Sequence, residues 1–448
     1  MTLGTRWLTR RVLGWAVFDV ASSTYVALVP VYFGLYFSSV IAGGQPSASA
    51  YWGVLAAASL VLAGILAPIA GAFADRAARW FPVLVGTTAL CVLATVMLPF
   101  AAMFGLVAAG AVFVLAQVGC TLATSLYDSL VVDVAAPSHR GRISGLGWAL
   151  GLLGGLVAIA GALALMQGVA PAEQVERLGS VFVAAGLLFA ILAVPGLAGL
   201  RGLRASSSPA RPADALISSL RVVATTLRRW RDHRQALRVL LSFFLINDVL
   251  VTIQFFIAIV LTARFGLAVE GLLWLSLLFH VIAIPSTVLF GMLADRWGQR
   301  RTVTSLSAAL AGAIALLAFG HADWAPVAAV VLLGLVAASI QAVFRSLYAS
   351  LVPTGKAAEL FGFNAVAGRL SAAIGPLVFG AAAAAFGSPT WALCLLLLPL
   401  AAGVGLLLTA ELPTDRAATP SQADDTPPPS RGAAATSAIP RVRALARD

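Results

Sequence analysis

Two short stretches decide the reading: GAFADR at residues 71–76 and GMLADR at residues 291–296. Each ends a long apolar run and opens a short basic loop, Arg76 to Arg79 in one case and Arg296 to Arg301 in the other. Nearly half the chain separates them. A recurrence at that distance is expected of a chain built from two similar halves, each returning to the same membrane face. In such a device Gly71 and Gly291 let helices approach closely at the membrane edge. Asp75, Arg76, Asp295 and Arg296 then meet water where the helices end.

Composition agrees. The 448 residues are 60% hydrophobic and 10% charged, with a mean hydropathy of +0.96. Soluble domains carry about a quarter charged residues, so the chain is expected to be an all-α membrane protein. A spanning helix takes about 20 apolar residues, and the runs allow roughly a dozen. The formal net charge of +11 does not point to nucleic acid, because the basic residues recur in every second loop, the positive-inside pattern. Cys91, Cys120 and Cys394 fall inside apolar runs without metal-ligand spacing, so neither a disulfide framework nor a metal site is expected. Basic residues precede the first apolar run, but Asp19 interrupts it and no small-residue cleavage site follows promptly, so an uncleaved first helix is expected.

The apolar runs place helices at about 13–40, 51–74, 82–102, 105–134, 143–167 and 178–200, and again at about 237–262, 268–294, 302–320, 325–352, 357–386 and 390–410. The expected organisation is a six-helix bundle over 1–200, a linker over 201–236, a second bundle over 237–411 and a disordered tail over 412–448. In the linker Leu216, Leu220, Val223, Leu227 and Trp230 recur at intervals of three and four beside Arg221, Arg228 and Arg229. That is a basic amphipathic helix suited to a membrane surface. Of the loop basics, only Arg177 and Arg264 fall on the side assigned outside, which puts both termini in the cytoplasm.

Ionisable residues inside the apolar runs are the functional signal. Asp19, Asp128, Asp248, Arg345 and Arg369 each lie several residues within a span. Each costs about 2.5–3.5 kcal/mol at a helix centre, so they are expected to pair or to face a wet cavity. Gln117, Thr121, Thr124 and Asp128 follow steps of four, three and four, a polar stripe about 16 Å long. Gln341, Arg345 and Tyr348 repeat the pattern, the seventh span offers Asn247, Asp248, Thr252 and Gln254, and the first offers Asp19, Ser22, Ser23 and Tyr25. These residues line a cavity or hydrogen-bond between helices. His280 beside Ser276 is either a proton relay or a hydrogen-bonded core residue. The small residues Gly145, Gly147, Gly151, Gly154 and Gly155 permit close helix packing.

The loop motif resembles that of the major facilitator superfamily, once in each half. The phrases GWAVFDVASSTY (14–25), YDSLVVDVAAPSHRGRISGLGWALGLLGG (127–155) and RSLYASLVPTGKAAELFGFNAVAGRLSAAIGPLVFG (345–380) resemble its vacuole-effluxer-like branch, whose founding members are linked to amino-acid efflux. The resemblance implies twelve transmembrane helices in two pseudo-symmetric bundles, a transport role, and a central path lined by helices 1, 4, 7 and 10. It also implies a cytoplasmic gate of the two loop motifs with Asp133 and the basic loop of Arg140 and Arg142. The chain departs from the branch at Ser22 and Asp128, where Asn is usual, and at Val132, where Pro is usual. Aligning YDSL with FRSL sets Asp128 opposite Arg345. The two would hold the ends of a zwitterion, or bridge each other in the empty cavity.

The chain has no GxxxxGK[ST] loop and no nucleophile constellation, so no enzyme and no cofactor are expected, and transport would run on an ion gradient. A carboxylate withdrawn from water is suited to exchange protons, which favours proton coupling. The expected function is export of a small polar metabolite, amino acids first, across the plasma membrane by a monomer. The alternatives are a drug or lipid exporter of the same fold and a non-transporting membrane sensor. A topology reporter fused after Arg204 or after Asp415 should read cytoplasmic, and one near Glu173 external. An external reading from the 201–236 segment would overturn the helix count.

Overall fold

The computed structural model describes residues 9–76, 80–134, 140–203, 234–351, 368 and 371–410. The side chains of Asp75, Arg76, Arg140, Arg142 and Arg345, with Arg369, the linker helix and the tail, lie outside the described set. The described residues form twelve long helices. The first six are α1 (Arg10–Tyr36), α2 (Ala48–Arg76), α3 (Trp80–Ala102), α4 (Leu106–Ser129), α5 (Arg140–Met166) and α6 (Gln174–Leu200). The second six are α7 (Arg234–Phe265), α8 (Val269–Trp297), α9 (Gln299–Phe319), α10 (Ala325–Leu351), α11 (Ile374–Phe386) and α12 (Pro389–Leu408). Eleven helices are long and apolar enough to cross a membrane, and α11 is a shorter apolar helix of 13 residues.

Local chemistry sets the ends. Thr9 caps α1 by accepting the Val12 N–H at 3.3 Å, and Ser388 caps α12 with Pro389 at its first position. Gly298 at φ 91° turns the chain from α8 into α9, and Gly387 at φ 62° turns it from α11 into α12, conformations that a side chain would strain. The expected fourth span, 105–134, divides into α4 and a single turn, Val131–Val134. There the Leu130 N–H bonds to the Tyr127 carbonyl, three residues back, which tightens the helix and ends it. Large apolar side chains such as Leu93, Ile191 and Val194 are more than half exposed, as hydrocarbon-facing residues of a spanning bundle must be.

In the first half α1 packs on α5 and α6, and α3 on α4 and α6. In the second, α10 packs on α8 and α9, and α12 on α7 and α9. The halves meet through α1 with α7, α2 with α11, and α5 with α8. Several of these joints lie at the end remote from the Asp-Arg motifs. The Trp52 indole donates to the Phe255 carbonyl at 2.8 Å, the Tyr32 and Ser276 hydroxyls bond at 2.6 Å, and the Glu270 N–H donates to Gln174 at 2.9 Å. A Cβ on Gly53 would collide with the Pro376 carbonyl, and one on Gly380 with the Ser49 carbonyl, so α2 and α11 touch backbone to backbone. Along α2, Gly53 lies about 33 Å from Asp75 at 1.5 Å per residue. At the motif end, by contrast, nothing among the described residues lies within 4 Å of a Cβ built on Gly71 or Gly291. Among the described residues, the close approach is made at Gly53 and Gly380 and not at the motif glycines.

Overpacking of this kind costs about 1–3 kcal/mol. Gly53→Ala and Gly380→Ala should each weaken the seal by that amount and raise the modification rate of a cysteine placed at Ser49, in a chain lacking its three native cysteines. An unchanged rate in both variants would show that the crossing does not hold this end shut.

Candidate functional site

Between the halves lies a cavity of about 810 Å³. Its wall takes Trp15, Asp19, Ser22 and Ser23 from α1, Thr124, Tyr127 and Asp128 from α4, and Gly151 and Gly155 from α5. The second half contributes Gln254 from α7, Ser276 and His280 from α8, Gln341 from α10, and a continuous set of aliphatic side chains. A volume of this size suits a small organic molecule.

Missing side chains shape the first-half wall. A Cβ on Gly154 would strike the Val20 carbonyl, so α5 lies directly on α1. One turn of bare α5 then faces three polar side chains. A Cβ on Gly151 would stand 2.7 Å from Asp19 Oδ2 and 3.0 Å from Ser23 Oγ, and one on Gly155 would stand 2.8 Å from His280 Nε2. The His280 Nδ1 lies 2.8 Å from the Ser276 carbonyl. A carbonyl only accepts, so Nδ1 carries the proton, and in the neutral ring Nε2 is the acceptor. Ser276 also holds Tyr32 across the halves, so His280 sits at the end of a chain that bridges them.

The aromatic floor is rigid. Tyr127 stacks on Trp15 at 4.7 Å and on Phe18 at 5.2 Å between ring centroids, and the Trp15 indole donates to the Tyr127 carbonyl at 3.2 Å. Tyr127 is 2% exposed and its hydroxyl makes no hydrogen bond among the described residues.

The residues singled out from the sequence divide into three groups. Asp19, Ser22, Thr124, Asp128, Gln254 and Gln341 line the cavity together. Tyr25, Gln117, Thr121, Asn247 and Asp248 are not among its lining residues. Tyr25 donates to Gln117 at 3.0 Å inside the first half, and the Thr121 hydroxyl bonds to the Gln117 carbonyl of its own helix. Asn247 accepts from Gln341 at 3.4 Å, and Asp248 accepts the Gly375 N–H at 2.8 Å, tying α7 to the start of α11. These polar groups satisfy one another because hydrocarbon supplies no partner. The third group is the expected gate. Asp133, Asp295 and Arg296 are exposed at the motif end, while Gly71 and Gly291 lie in the last two turns of their helices without close neighbours among the described residues. The side chains of Asp75, Arg76, Arg140, Arg142, Arg345 and Arg369 fall outside the described set.

Sequence reasoning missed Trp15, Tyr127 and Tyr32 as site residues. Trp15 stands one turn before Asp19, and Tyr32 two turns after Tyr25, so helical spacing carried a signal for both. Tyr127 carried none, because adjacency to Asp128 does not place two side chains on one face.

The vacuole effluxer Atg22-like family matches residues 38–419. The chain belongs to that family. An uncharacterised MFS-type transporter of Bacillus subtilis, YxiO, is 26% identical over 435 residues, 92% of this chain and 97% of the relative. Among solved structures, the partially occluded inward-open xylose transporter XylE from E. coli superposes with a TM-score of 0.64 at 14% identity, covering 91% of this chain and 99% of that one. A D-xylose-proton symporter gives 0.65 at 15% identity, over 90% and 97%. The fold is that of the major facilitators, and this effluxer-like chain is an integral membrane transporter and no enzyme.

Asp248 separates a fold role from a transport role. Asp248→Ala strands the buried Gly375 N–H and should cost about 1–3 kcal/mol, read as a lower unfolding temperature in detergent. Asp248→Asn keeps an acceptor and should unfold close to the parent. An Asn variant that folds normally but loses solute binding would return this residue to the cavity.

Proposed function

We propose that this effluxer-like protein is a secondary active carrier that exports a small polar metabolite, amino acids first, from the cytoplasm by alternating access. The observation that carries the reading is the cavity itself, enclosed between two halves that join beside it and at the end remote from the motifs. Rocking about a midplane site is the way such inverted-repeat carriers move solutes. The Asp-Arg loops at the other end are suited to gate the cytoplasmic side. Lopsided loop charge supports cytoplasmic termini in the plasma membrane, and the protein works as a monomer.

Proton coupling is part of the proposal. Asp19 and Asp128 stand on the cavity wall inside the membrane, where a carboxylate can trade its charge for a proton. Its gain or loss changes the cost of moving the empty site past hydrocarbon. The aliphatic second-half wall further supports a solute that carries an apolar body behind its polar group.

The test is reconstitution in vesicles with a panel of amino acids and other small metabolites, with and without a pH gradient. The expected result is solute movement that the gradient drives. Asp128→Asn should abolish gradient-driven transport while retaining counterflow exchange of solute. Absence of flux for the whole panel, with and without a gradient, would favour a membrane sensor that has kept the fold.

A further inference from the structure

We propose that the cavity selects an organic cation, whose ammonium group seats against Asp19 while its apolar body lies on the aliphatic wall opposite. The proposal deepens the carrier reading above and rests on it, naming the part of the solute that is recognised.

Both walls mix polar and apolar side chains, and among the described lining residues the carboxylates lie on one of them. On the first half, the charged side chains among the described lining residues are two carboxylates, Asp19 and Asp128. On the second half, Leu250, Val251, Ile257 and Leu261 of α7 and Leu272 and Leu275 of α8 make an aliphatic surface. A molecule that fits both is charged at one end and hydrocarbon at the other.

The polar groups that face the space are matched to donors. The Asp19 carboxylate stands over bare Gly151 and has no hydrogen bond or ion pair among the described residues. One turn further along α5, the neutral His280 ring presents Nε2 as an acceptor over Gly155, because Nδ1 is committed to the Ser276 carbonyl. An ammonium has three donors and no acceptor, which is what this arrangement lacks. A head that carries a carboxylate or phosphate and no ammonium would instead set its lone pairs against those of Asp19.

Tyr127 is the independent observation. Its ring is clamped between Trp15 and Phe18, and it is 2% exposed, so the hydroxyl cannot swing away to find water. That hydroxyl has no hydrogen-bond partner among the described residues, and Asp19 and Asp128 line the same cavity. A buried polar group is rarely left in that state, and a donor-rich head lodged among these oxygens would satisfy it.

Three probes share one branched hydrocarbon body and differ only in the head: isoamylamine carries an amine, isovalerate a carboxylate, and leucine both. Binding to the purified full chain in lipid nanodiscs is measured by calorimetry. Isoamylamine and leucine should bind, and isovalerate should not. Asp19→Asn should weaken isoamylamine about 10- to 100-fold, the scale of a charge-assisted hydrogen bond, with the unfolding temperature unchanged. Should the Asn variant fail to fold, Asp19→Glu keeps the charge and should bind within about tenfold of the parent, whereas Asp19→Ser should lose binding. Tyr127→Phe should weaken the amine by a smaller factor. The proposal is overturned if isovalerate binds as tightly as isoamylamine, if leucine binds and isoamylamine does not, or if Asp19→Asn binds the amine like the parent. Binding of none of the three also overturns it. That outcome leaves the carrier reading standing if the vesicle panel shows flux.

Discussion

Hydrocarbon offers no hydrogen-bond partner, and that constraint arranges most of the polar side chains on these helices. A hydroxyl, amide or carboxylate has three ways out: its own helix backbone, a neighbouring helix, or a wet space inside the protein. The chain uses all three. Thr121 and Thr252 bond back to their own turns. Tyr25 finds Gln117 and Asp248 finds the Gly375 backbone. Asp19, Asp128 and His280 stand on the cavity wall. The site is the place where polar side chains of both halves meet one shared space.

This explains how far the sequence could be read. Twelve helices were legible within about three residues at most ends, because a membrane demands long apolar runs and punishes ambiguity. The split at Leu130 was not, since it turns on one tightened hydrogen bond rather than on hydropathy. Which helices carry polar residues was legible too, but not which of those residues face the cavity. Asn247 and Asp248 are adjacent, yet one supports Gln341 and the other anchors α11, so their roles follow from helix rotation. Rotation is fixed by packing partners such as Gly53 against Pro376, which lie far apart in sequence.

The two ends of the molecule are built on different physics. The end beside Gly53 and Gly380 is closed by backbone contact, neutral hydrogen bonds and a ring contact between the halves, Trp52 on Phe255 at 5.9 Å. Those forces are short-ranged and insensitive to salt. The opposite end carries the Asp-Arg motifs, and attraction between charges reaches further and is screened by ions.

The bare face of α5 sets the dimensions of the site. Because Gly151 and Gly155 carry no side chain, Asp19 and His280 lie directly against the backbone of α5. A carbon added at either position would strike one of them and push it away from the helix. Each glycine therefore acts as a stop that sets how far its polar neighbour stands from α5, and a guest loses room to a displaced side chain rather than to the new carbon.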